Sequence, residues 1–145
     1  MLKKIPKLLS PELVCVLMEM GHGDELVLAD GNFPGHALHT RVIRYDGVGI
    51  PALLDAILEL FPLDHYAPHQ AAFMAVVDGD PTVPEIWSTY EAILAKHDGK
   101  AAVQLEERFA FYNRSRESYA IVVTGEEALY GNVIIKKGVV KPGDR

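Results

Sequence analysis

The sequence is poor in cysteine, in long apolar runs and in positive charge, and each shortage excludes a class of protein. Its 145 residues include one cysteine, which cannot form an internal disulfide framework or a thiolate zinc site. No apolar run approaches the roughly 18 residues that a membrane span needs. The 14 Lys and Arg residues are outnumbered by 20 Asp and Glu residues, which gives a formal net charge of -6. Because a net anion is not attracted to nucleic acid or to an anionic membrane, we expect neither as a partner.

The N-terminal residues do not predict a secretory signal. The N-terminus is basic, but the apolar stretch after it is interrupted by Glu12 and Glu19, so cleavage by a signal peptidase is not expected. We therefore expect a cytoplasmic protein. The composition is 49% hydrophobic, which is sufficient for a packed core. Without internal repeats or long linkers, the length predicts one domain over residues 1–145.

Helical and extended patterns alternate along the chain. The first helix is predicted to begin at Ser10-Pro11-Glu12, because serine caps free amides and proline suits the first helical turn. Further helices are predicted over residues 51–61 and after a capping-box pattern at residues 82–85. Strands are predicted at residues 26–29, 41–45, 71–77, 119–123 and 132–135, and a loop at residues 30–36. Residues 108–118 combine aromatics with the charge spacing of a short helix, so their pattern is ambiguous.

This alternation predicts an α/β fold. The expected arrangement is a three-layer α/β/α domain whose central sheet is mainly parallel or mixed, with helices on both faces. The strand order cannot be predicted from the pattern. Cys15 stands between Leu13-Val14 and Val16-Leu17, which predicts a small buried thiol.

Known nucleotide, metal and nucleophile motifs do not match. Gly21-His22-Gly23 precedes a strand instead of following one, and Gly47-Val48-Gly49 has no phosphate-binding lysine at the proper place. The histidine pairs His36/His39 and His65/His69 have spacings of three and four residues, but proline interrupts their surroundings and no third ligand converges on them. We expect ordinary surface or interface histidines and no metal. No Gly-x-Ser-x-Gly turn is present.

A polar group of residues among the apolar strands remains. Asp30 follows the first predicted strand, at the carboxyl end where α/β sheets usually offer ligand-binding groups. The pattern alone leaves two interpretations open. Gly21-His22-Gly23 can simply end a helix and Asp30 can be a loop carboxylate, or both can belong to a ligand site.

Four motifs in order resemble the L-fucose mutarotase and D-ribose pyranase family. The resemblance extends over residues 5–139 and is carried by Met20-Gly21-His22-Gly23-Asp24-Glu25, Asp30-Gly31-Asn32-Phe33-Pro34, Arg108-Phe109-Ala110-Phe111-Tyr112 and residues 124–138, which include Tyr130-Gly131-Asn132. The Arg108 segment is similar to the fucose branch, whereas the ribose branch commonly has histidine near that position. Gly31 and Gly35 stand where the family often has alanine or another small residue, and His69 cannot be matched to a family position.

The resemblance implies a site and an activity. It makes His22 the proton donor, and it makes Asp30, Arg108, Tyr130, Gly131 and Asn132 the sugar-binding residues. The implied activity is interconversion of the α and β anomers of L-fucose without cofactor or metal. D-ribose pyranase activity and non-catalytic sugar binding are the alternatives. The implied partners are the monosaccharide, L-fucose or D-ribose, and copies of the same chain in a homo-oligomer, of which a decamer is one form.

The residue types suit this reaction. Ring opening needs a proton delivered to the ring oxygen and another removed from the anomeric hydroxyl, and imidazole can donate or accept near neutral pH. Arg108, Asp30 and Asn132 can bind sugar hydroxyls, and Tyr130 can either bind a hydroxyl or relay the second proton. About eight extended residues between His22 and Asp30 would span roughly 26 Å. Either the turn at residues 21–25 folds back, or neighbouring subunits share the site.

Overall fold

The structure, a computed structural model, describes all residues from 1 to 145. Its elements are α1 (Pro11–Glu19), β1 (Glu25–Ala29), α2 (Gly35–Leu38), β2 (Val42–Tyr45), α3 (Ile50–Leu58), β3 (Ala71–Met74), α4 (Ile86–His97), β4 (Val103–Glu106), α5 (Arg108–Glu117), β5 (Ala120–Thr124) and β6 (Val133–Lys136). None of the five helices combines the length and the apolar character that crossing a membrane requires.

The six strands form one mixed sheet in the order β2-β5-β1-β6-β3-β4. Strand β6 runs antiparallel to its neighbours β1 and β3, and the other pairs are parallel. Successive side chains of a strand point to opposite faces, so a central strand feeds two cores. Leu26 and Leu28 of β1 pack in a cluster with α1, α3 and α4, whereas Val27 and Ala29 pack with Phe111 of α5. The predicted three-layer α/β/α fold with a mixed sheet is confirmed.

The helix starts show which local signals operate in the structure. Ser10 caps α1 as predicted, because its side chain accepts a hydrogen bond from the amide of Leu13 at 3.1 Å. The predicted capping box at residues 82–85 is wrong. Glu85 at the start of α4 makes no side-chain cap, and the Thr82 hydroxyl donates instead to Asp80 at 2.6 Å.

Several predicted elements differ from the structure. The expected loop at residues 30–36 runs into α2, β3 stops at Met74, and the ambiguous segment at residues 108–118 forms α5. The edge strand β4 was not predicted. Cys15 is exposed, so the prediction of a buried thiol is wrong. The turn of α1 directs Leu13 and Leu17 to the core and leaves Cys15 on the outer side.

Candidate functional site

Asp30 and Asn132 form a reciprocal pair at the carboxyl end of β1. Asp30 follows β1 directly, and Asn132 comes just before the antiparallel strand β6, whose first residue, Val133, pairs with Leu28. This register brings the two side chains together. The amide of Asp30 donates to Asn132 Oδ1 at 2.8 Å, and Asn132 Nδ2 donates to Asp30 Oδ2 at 2.9 Å. Asn132 is buried, so the pair is preorganised before any ligand binds.

The carboxylate of Asp30 is held in a tight turn. Its Oδ1 accepts a hydrogen bond from the amide of Asn32 at 2.9 Å. Burial raises the pKa of Asp30 above its ordinary value, and this effect outweighs the hydrogen bonds from Asn32 and Asn132 that lower it. A carboxyl that is partly desolvated yet anchored is typical of a ligand-binding position.

A cavity of about 300 Å³ opens beside this pair. That volume is at the lower end of small-molecule sites and is suitable for a monosaccharide. Its wall includes four of the five residues that the resemblance assigns to sugar binding, Asp30, Arg108, Tyr130 and Asn132. Two further polar side chains, Asn32 and Asp80, line the cavity. The rest of the lining is mainly apolar and consists of Phe33, Met74, Val77, Tyr112 and Leu129. A sugar with both hydroxyl-bearing and apolar surfaces can find a match here.

Gly131, the fifth predicted sugar-binding residue, does not line the cavity but supports it. Its carbonyl accepts a hydrogen bond from the buried hydroxyl of Tyr90 at 2.7 Å. A Cβ atom at position 131 would lie 2.8 Å from the carbonyl oxygen of Ala128. Glycine is therefore needed for the close approach of the backbone.

Tyr130 is held in a strained backbone conformation by three contacts. Its φ angle is 57°, in the left-handed region that non-glycine residues rarely adopt. The indole of Trp87 donates to its carbonyl oxygen at 2.9 Å. Its hydroxyl donates to Asp80 Oδ2 at 2.6 Å and lies 3.4 Å from the amide of Val77. These contacts direct the phenol toward the cavity wall.

Arg108 begins α5 at the rim of the cavity. Its Nε donates to the hydroxyl of Tyr112 at 3.3 Å, and its guanidinium lies 5.6 Å from the centre of the Phe109 ring. The side chain is exposed and makes no ion pair. Its remaining N–H groups are therefore available to donate hydrogen bonds to a ligand in the cavity.

His22 lies at the other end of β1, in the turn between α1 and β1. Its Nε2 is 3.0 Å from Oδ1 of Asp64, whose side chain is 6% exposed, and its ring is 5.2 Å from that of Tyr66. Burial alone would raise the pKa of Asp64, but hydrogen bonds from the Tyr66 amide and from His22 outweigh it and lower the pKa. The carboxylate therefore fixes Nε2, and Nδ1 of His22 makes no hydrogen bond within the chain.

Lys137 anchors the turn that carries His22. Its Nζ donates to the carbonyl oxygens of Leu17 at 2.7 Å and Met20 at 2.5 Å, the last free carbonyls of α1. Its backbone exchanges hydrogen bonds with Gly23 and Asp24 on the other side of the turn, both at 2.8 Å. Burial lowers the pKa of Lys137. One residue thus holds both sides of the turn.

The fold of the single chain does not bring His22 and Asp30 together. The turn at residues 21–25 does not fold back, because β1 runs away from it for five residues, about 17 Å, before reaching Asp30. None of the six histidines lines the cavity. The five predicted sugar-binding residues therefore cluster, and the predicted proton donor does not join them.

Three of the other histidines lie in local polar contacts. His39 bonds to the carbonyl of Ser118 at 2.8 Å, His65 pairs with Asp98, and His97 lies 2.6 Å from Asp55. No group of three or more His, Cys, Asp or Glu side chains is arranged to hold a metal ion.

A larger cavity, about 710 Å³, lies elsewhere, between the N-terminal segment and α1. Aliphatic side chains such as Leu2, Ile5, Val14 and Met18 dominate its lining. It offers few of the hydrogen-bonding groups that orient a sugar, so the smaller cavity at Asp30 is the better candidate site.

Two carboxylates that contact predicted site residues carry no clear signal in the sequence. Asp64 supports His22 from 42 residues away, and Asp80 supports Tyr130 from 50 residues away. Neither belongs to a motif. The turn sequence Asp78-Gly79-Asp80-Pro81 is the one available signal, since such breaker-rich turns commonly present side chains for binding.

Comparison with known proteins gives a consistent result. A model of the RbsD / FucU transport protein family matches residues 3–140. The L-fucose mutarotase of Actinobacillus pleuropneumoniae serotype 5b is 51% identical over 140 residues, which cover 96% of this chain and 97% of that protein. The fucose mutarotase of Streptococcus pneumoniae, solved in complex with L-fucose, is 53% identical with a TM-score of 0.91, covering 97% of this chain and 100% of that one. Bacillus subtilis RbsD complexed with D-ribose is 18% identical with a TM-score of 0.71 over 92% and 95% of the two chains, a likeness of fold alone.

Proposed function

This chain belongs to the RbsD / FucU transport protein family, and from that premise we propose that it is an isomerase that interconverts the α and β anomers of L-fucose. The observation that carries the proposal is the cavity at the end of β1. Its wall joins a desolvated carboxylate, an amide, a phenol and a guanidinium to an apolar side. L-Fucose likewise has polar and apolar parts, namely its ring hydroxyls and the methyl group at C6.

The reaction needs two proton transfers and no redox step. A proton is added to the ring oxygen as the bond between that oxygen and C1 breaks, and the anomeric hydroxyl loses its proton as the C1 carbonyl forms. Rotation about the bond between C1 and C2 followed by closure yields the other anomer, and both protons return. A positioned acid or base contributes about 10² to 10⁴ in rate for such a step.

His22 is the proposed proton donor to the ring oxygen. Asp64 holds its Nε2 at 3.0 Å, which orients the ring, and Nδ1 is then the nitrogen that meets the sugar. The Asp30 carboxylate accepts hydrogen bonds from sugar hydroxyls, and the Asn132 amide donates one. Arg108 donates hydrogen bonds to sugar oxygens from its exposed guanidinium.

We propose that two subunits build each site. No histidine lines the cavity, and His22 lies beside Asp64 at the opposite end of β1. Exposed apolar side chains accompany both halves. Phe109 and Leu129 are 66% and 60% exposed beside the cavity, and Tyr66 is 72% exposed beside His22. Apolar surface of this kind is typical of a contact between copies. We propose that the protein is a homo-oligomer in the cytoplasm and that a decamer is one of its forms.

The activity is tested by NMR magnetisation exchange between the anomeric protons of L-fucose, with D-ribose measured in parallel. We expect the protein to accelerate exchange for L-fucose, and the His22→Gln variant, which keeps polarity but removes the imidazole, to lose at least about 10² of that acceleration. Fucose binding without faster exchange would favour a sugar-binding protein. Greater acceleration for D-ribose would favour a pyranase. Normal exchange in the variant would exclude His22 as the acid.

The shared site has its own test. His22→Gln and Asp30→Asn are each expected to inactivate the protein, but when the two are unfolded together and refolded as mixed oligomers, about a quarter of the sites receive both native residues. Activity should therefore reappear in the mixture. The double variant carrying both changes in one chain, refolded with the wild-type chain, is the matched control. Absence of any recovery would mean that His22 and Asp30 act within one subunit or not together.

A further inference from the structure

The hydroxyl group of Tyr130 has its hydrogen already engaged. It donates to Oδ2 of Asp80 at 2.6 Å, a short bond to a charged acceptor. The amide of Val77 donates a weak second hydrogen bond to the hydroxyl oxygen of Tyr130 at 3.4 Å. A phenol has one hydrogen and two acceptor positions. One acceptor position of Tyr130 therefore stays free, and no hydrogen is left to donate.

Asp80 is itself fixed by the turn that contains it. Its Oδ1 accepts two hydrogen bonds from Thr82, one from the amide at 2.9 Å and one from the hydroxyl at 2.6 Å. These bonds and the bond from Tyr130 lower the pKa of Asp80, so the side chain is a carboxylate near neutral pH. In return, the bond to Asp80 is the main cause that raises the pKa of Tyr130, which keeps the phenol protonated. Both groups line the candidate sugar cavity.

We propose that Asp80 is a positioning residue that turns the hydrogen of the Tyr130 hydroxyl away from the cavity, so that the hydroxyl oxygen accepts a hydrogen bond from a hydroxyl of the bound sugar. The inference rests on the proposed function for the identity of the ligand. The direction of the hydrogen bond between Asp80 and Tyr130 does not depend on it. Tyr130 then binds a sugar hydroxyl as an acceptor and not as a donor, which is the first of the two roles that the sequence leaves open for it.

The Asp80→Asn variant reverses this bond with little change in shape. Both donors of Thr82 point at one oxygen, so the carboxamide of the variant keeps its oxygen there and turns its NH₂ toward Tyr130. The Tyr130 oxygen then accepts from the amide, and its hydrogen is released toward the cavity. We expect anomer exchange of L-fucose to fall about tenfold or more. The matched control is Asp78→Asn, because Asp78 is exposed in the same turn and its change removes the same charge.

A double-variant comparison separates positioning from a general effect on the turn. Tyr130→Phe removes the hydroxyl, so Asp80→Asn added to it should change exchange by less than about twofold. If Asp80→Asn lowers exchange equally with and without the Tyr130 hydroxyl, Asp80 acts by another route and the proposal is overturned. The proposal is also overturned if Asp80→Asn alone leaves exchange at the wild-type level.

A measurement without sugar keeps this inference distinct from the proposed function. Ultraviolet absorbance of tyrosinate is followed against pH, and the Tyr130→Phe variant identifies the Tyr130 contribution among the six tyrosines. In the wild type Tyr130 should ionise above the ordinary value of 10.0, and in Asp80→Asn it should ionise at lower pH. An unchanged titration overturns the proposal. If the titration shifts while the wild type exchanges no fucose anomers, the hydroxyl is oriented as proposed and the ligand assignment has failed instead.

Discussion

Asp30 and Asn132 stand 102 residues apart in the chain and exchange two hydrogen bonds at the end of the central strand β1. The amide side chain of Asn132 serves as acceptor for the Asp30 backbone and as donor for the Asp30 carboxylate. Each side chain therefore fixes the orientation of the other. A second N–H of Asn132 and further lone pairs of Asp30 remain for a ligand, so the pair offers a donor and an acceptor side by side.

Asn132→Asp should damage this pair through charge. The Asp30 amide can still donate to the new carboxylate, but an oxygen replaces the Nδ2 donor and faces Oδ2 of Asp30. We expect the free energy of unfolding in urea to fall by about 1–3 kcal/mol near neutral pH. The loss should shrink toward about pH 5, because one carboxyl can then take a proton and donate.

The control for this change is Asn113→Asp, which adds the same charge at an exposed position of α5. Its effect on unfolding should stay within about 0.5 kcal/mol. Equal losses in the two variants, or a loss at position 132 that does not vary with pH, would contradict the reciprocal hydrogen bonds.

Asp30→Asn should separate function from stability. Burial raises the pKa of Asp30, so the folded state binds a proton more readily than the unfolded chain. The contribution of Asp30 to the free energy of unfolding is therefore greatest at low pH. It decreases as the pH rises from the ordinary value of 3.8 through the raised folded value. Asparagine has no such dependence, so the variant should gain stability relative to the wild type over that range while fucose exchange is lost.

Urea unfolding of both proteins over a pH series measures this difference. Asp46→Asn is the opposite control, since the guanidinium of Arg44 lowers the pKa of Asp46. That variant should lose stability relative to the wild type as the pH rises from the lowered folded pKa of Asp46 to the ordinary value of 3.8. If the stability difference from the wild type changes with pH in the same direction for both variants, the assignment of a raised pKa to Asp30 is contradicted.

The sequence predicts the layers of this fold better than the order of its strands. Apolar runs such as 26–29 and 119–123 show that a strand is buried on both faces, but they do not show which neighbour it pairs with. Strand β6 lies antiparallel between β1 and β3, and this arrangement alone brings Asn132 to Asp30. Such pairing depends on long-range packing that no local pattern encodes.

Local sequence patterns also fail to predict the structure of elements that have one exposed side. Strand β4 is an edge strand with Leu105 56% exposed, so its apolar signal is weak. Around Cys15 the apolar signal is instead too uniform, since six consecutive apolar residues, 13–18, do not show which side of α1 faces solvent. Asp64 and Asp80 carry no motif at all, and their roles follow from partners that only the folded chain brings near.

Asp64→Ala should impair catalysis through His22. Without the carboxylate, Nε2 of His22 loses its 3.0 Å partner and the half-exposed ring can rotate. We expect fucose anomer exchange to fall about tenfold or more, with a smaller change in sugar affinity, because Asp64 is not a predicted sugar ligand. Asp98→Ala is the matched control, since it removes the carboxylate partner of His65, which lies in another histidine–aspartate pair. A loss in both variants, or in neither, would remove Asp64 from the proposed mechanism.

Acid unfolding gives a second measure of the same residue. The pKa of Asp64 is lowered in the folded state, so its ionised form stabilises the protein above the ordinary value of 3.8, and this stability is lost as the pH falls through the folded value. Asp64→Ala should therefore be less stable than the wild type at neutral pH, and the difference should narrow below about pH 4. A difference that widens on acidification would contradict the cause assigned to the lowered pKa.

Lys137→Met should loosen the turn that carries His22. Methionine preserves the length and apolar stem of the side chain but leaves the carbonyls of Leu17 and Met20 without their donor. We expect the free energy of unfolding to fall by about 1–2 kcal/mol, measured in urea. Amide hydrogen exchange should become faster at residues 21–24 while the strand amides of β5 stay protected. Lys100→Met, at an exposed position, should change neither quantity. Unchanged exchange at residues 21–24 would mean that the backbone hydrogen bonds of Gly23 and Asp24 hold the turn without the lysine side chain.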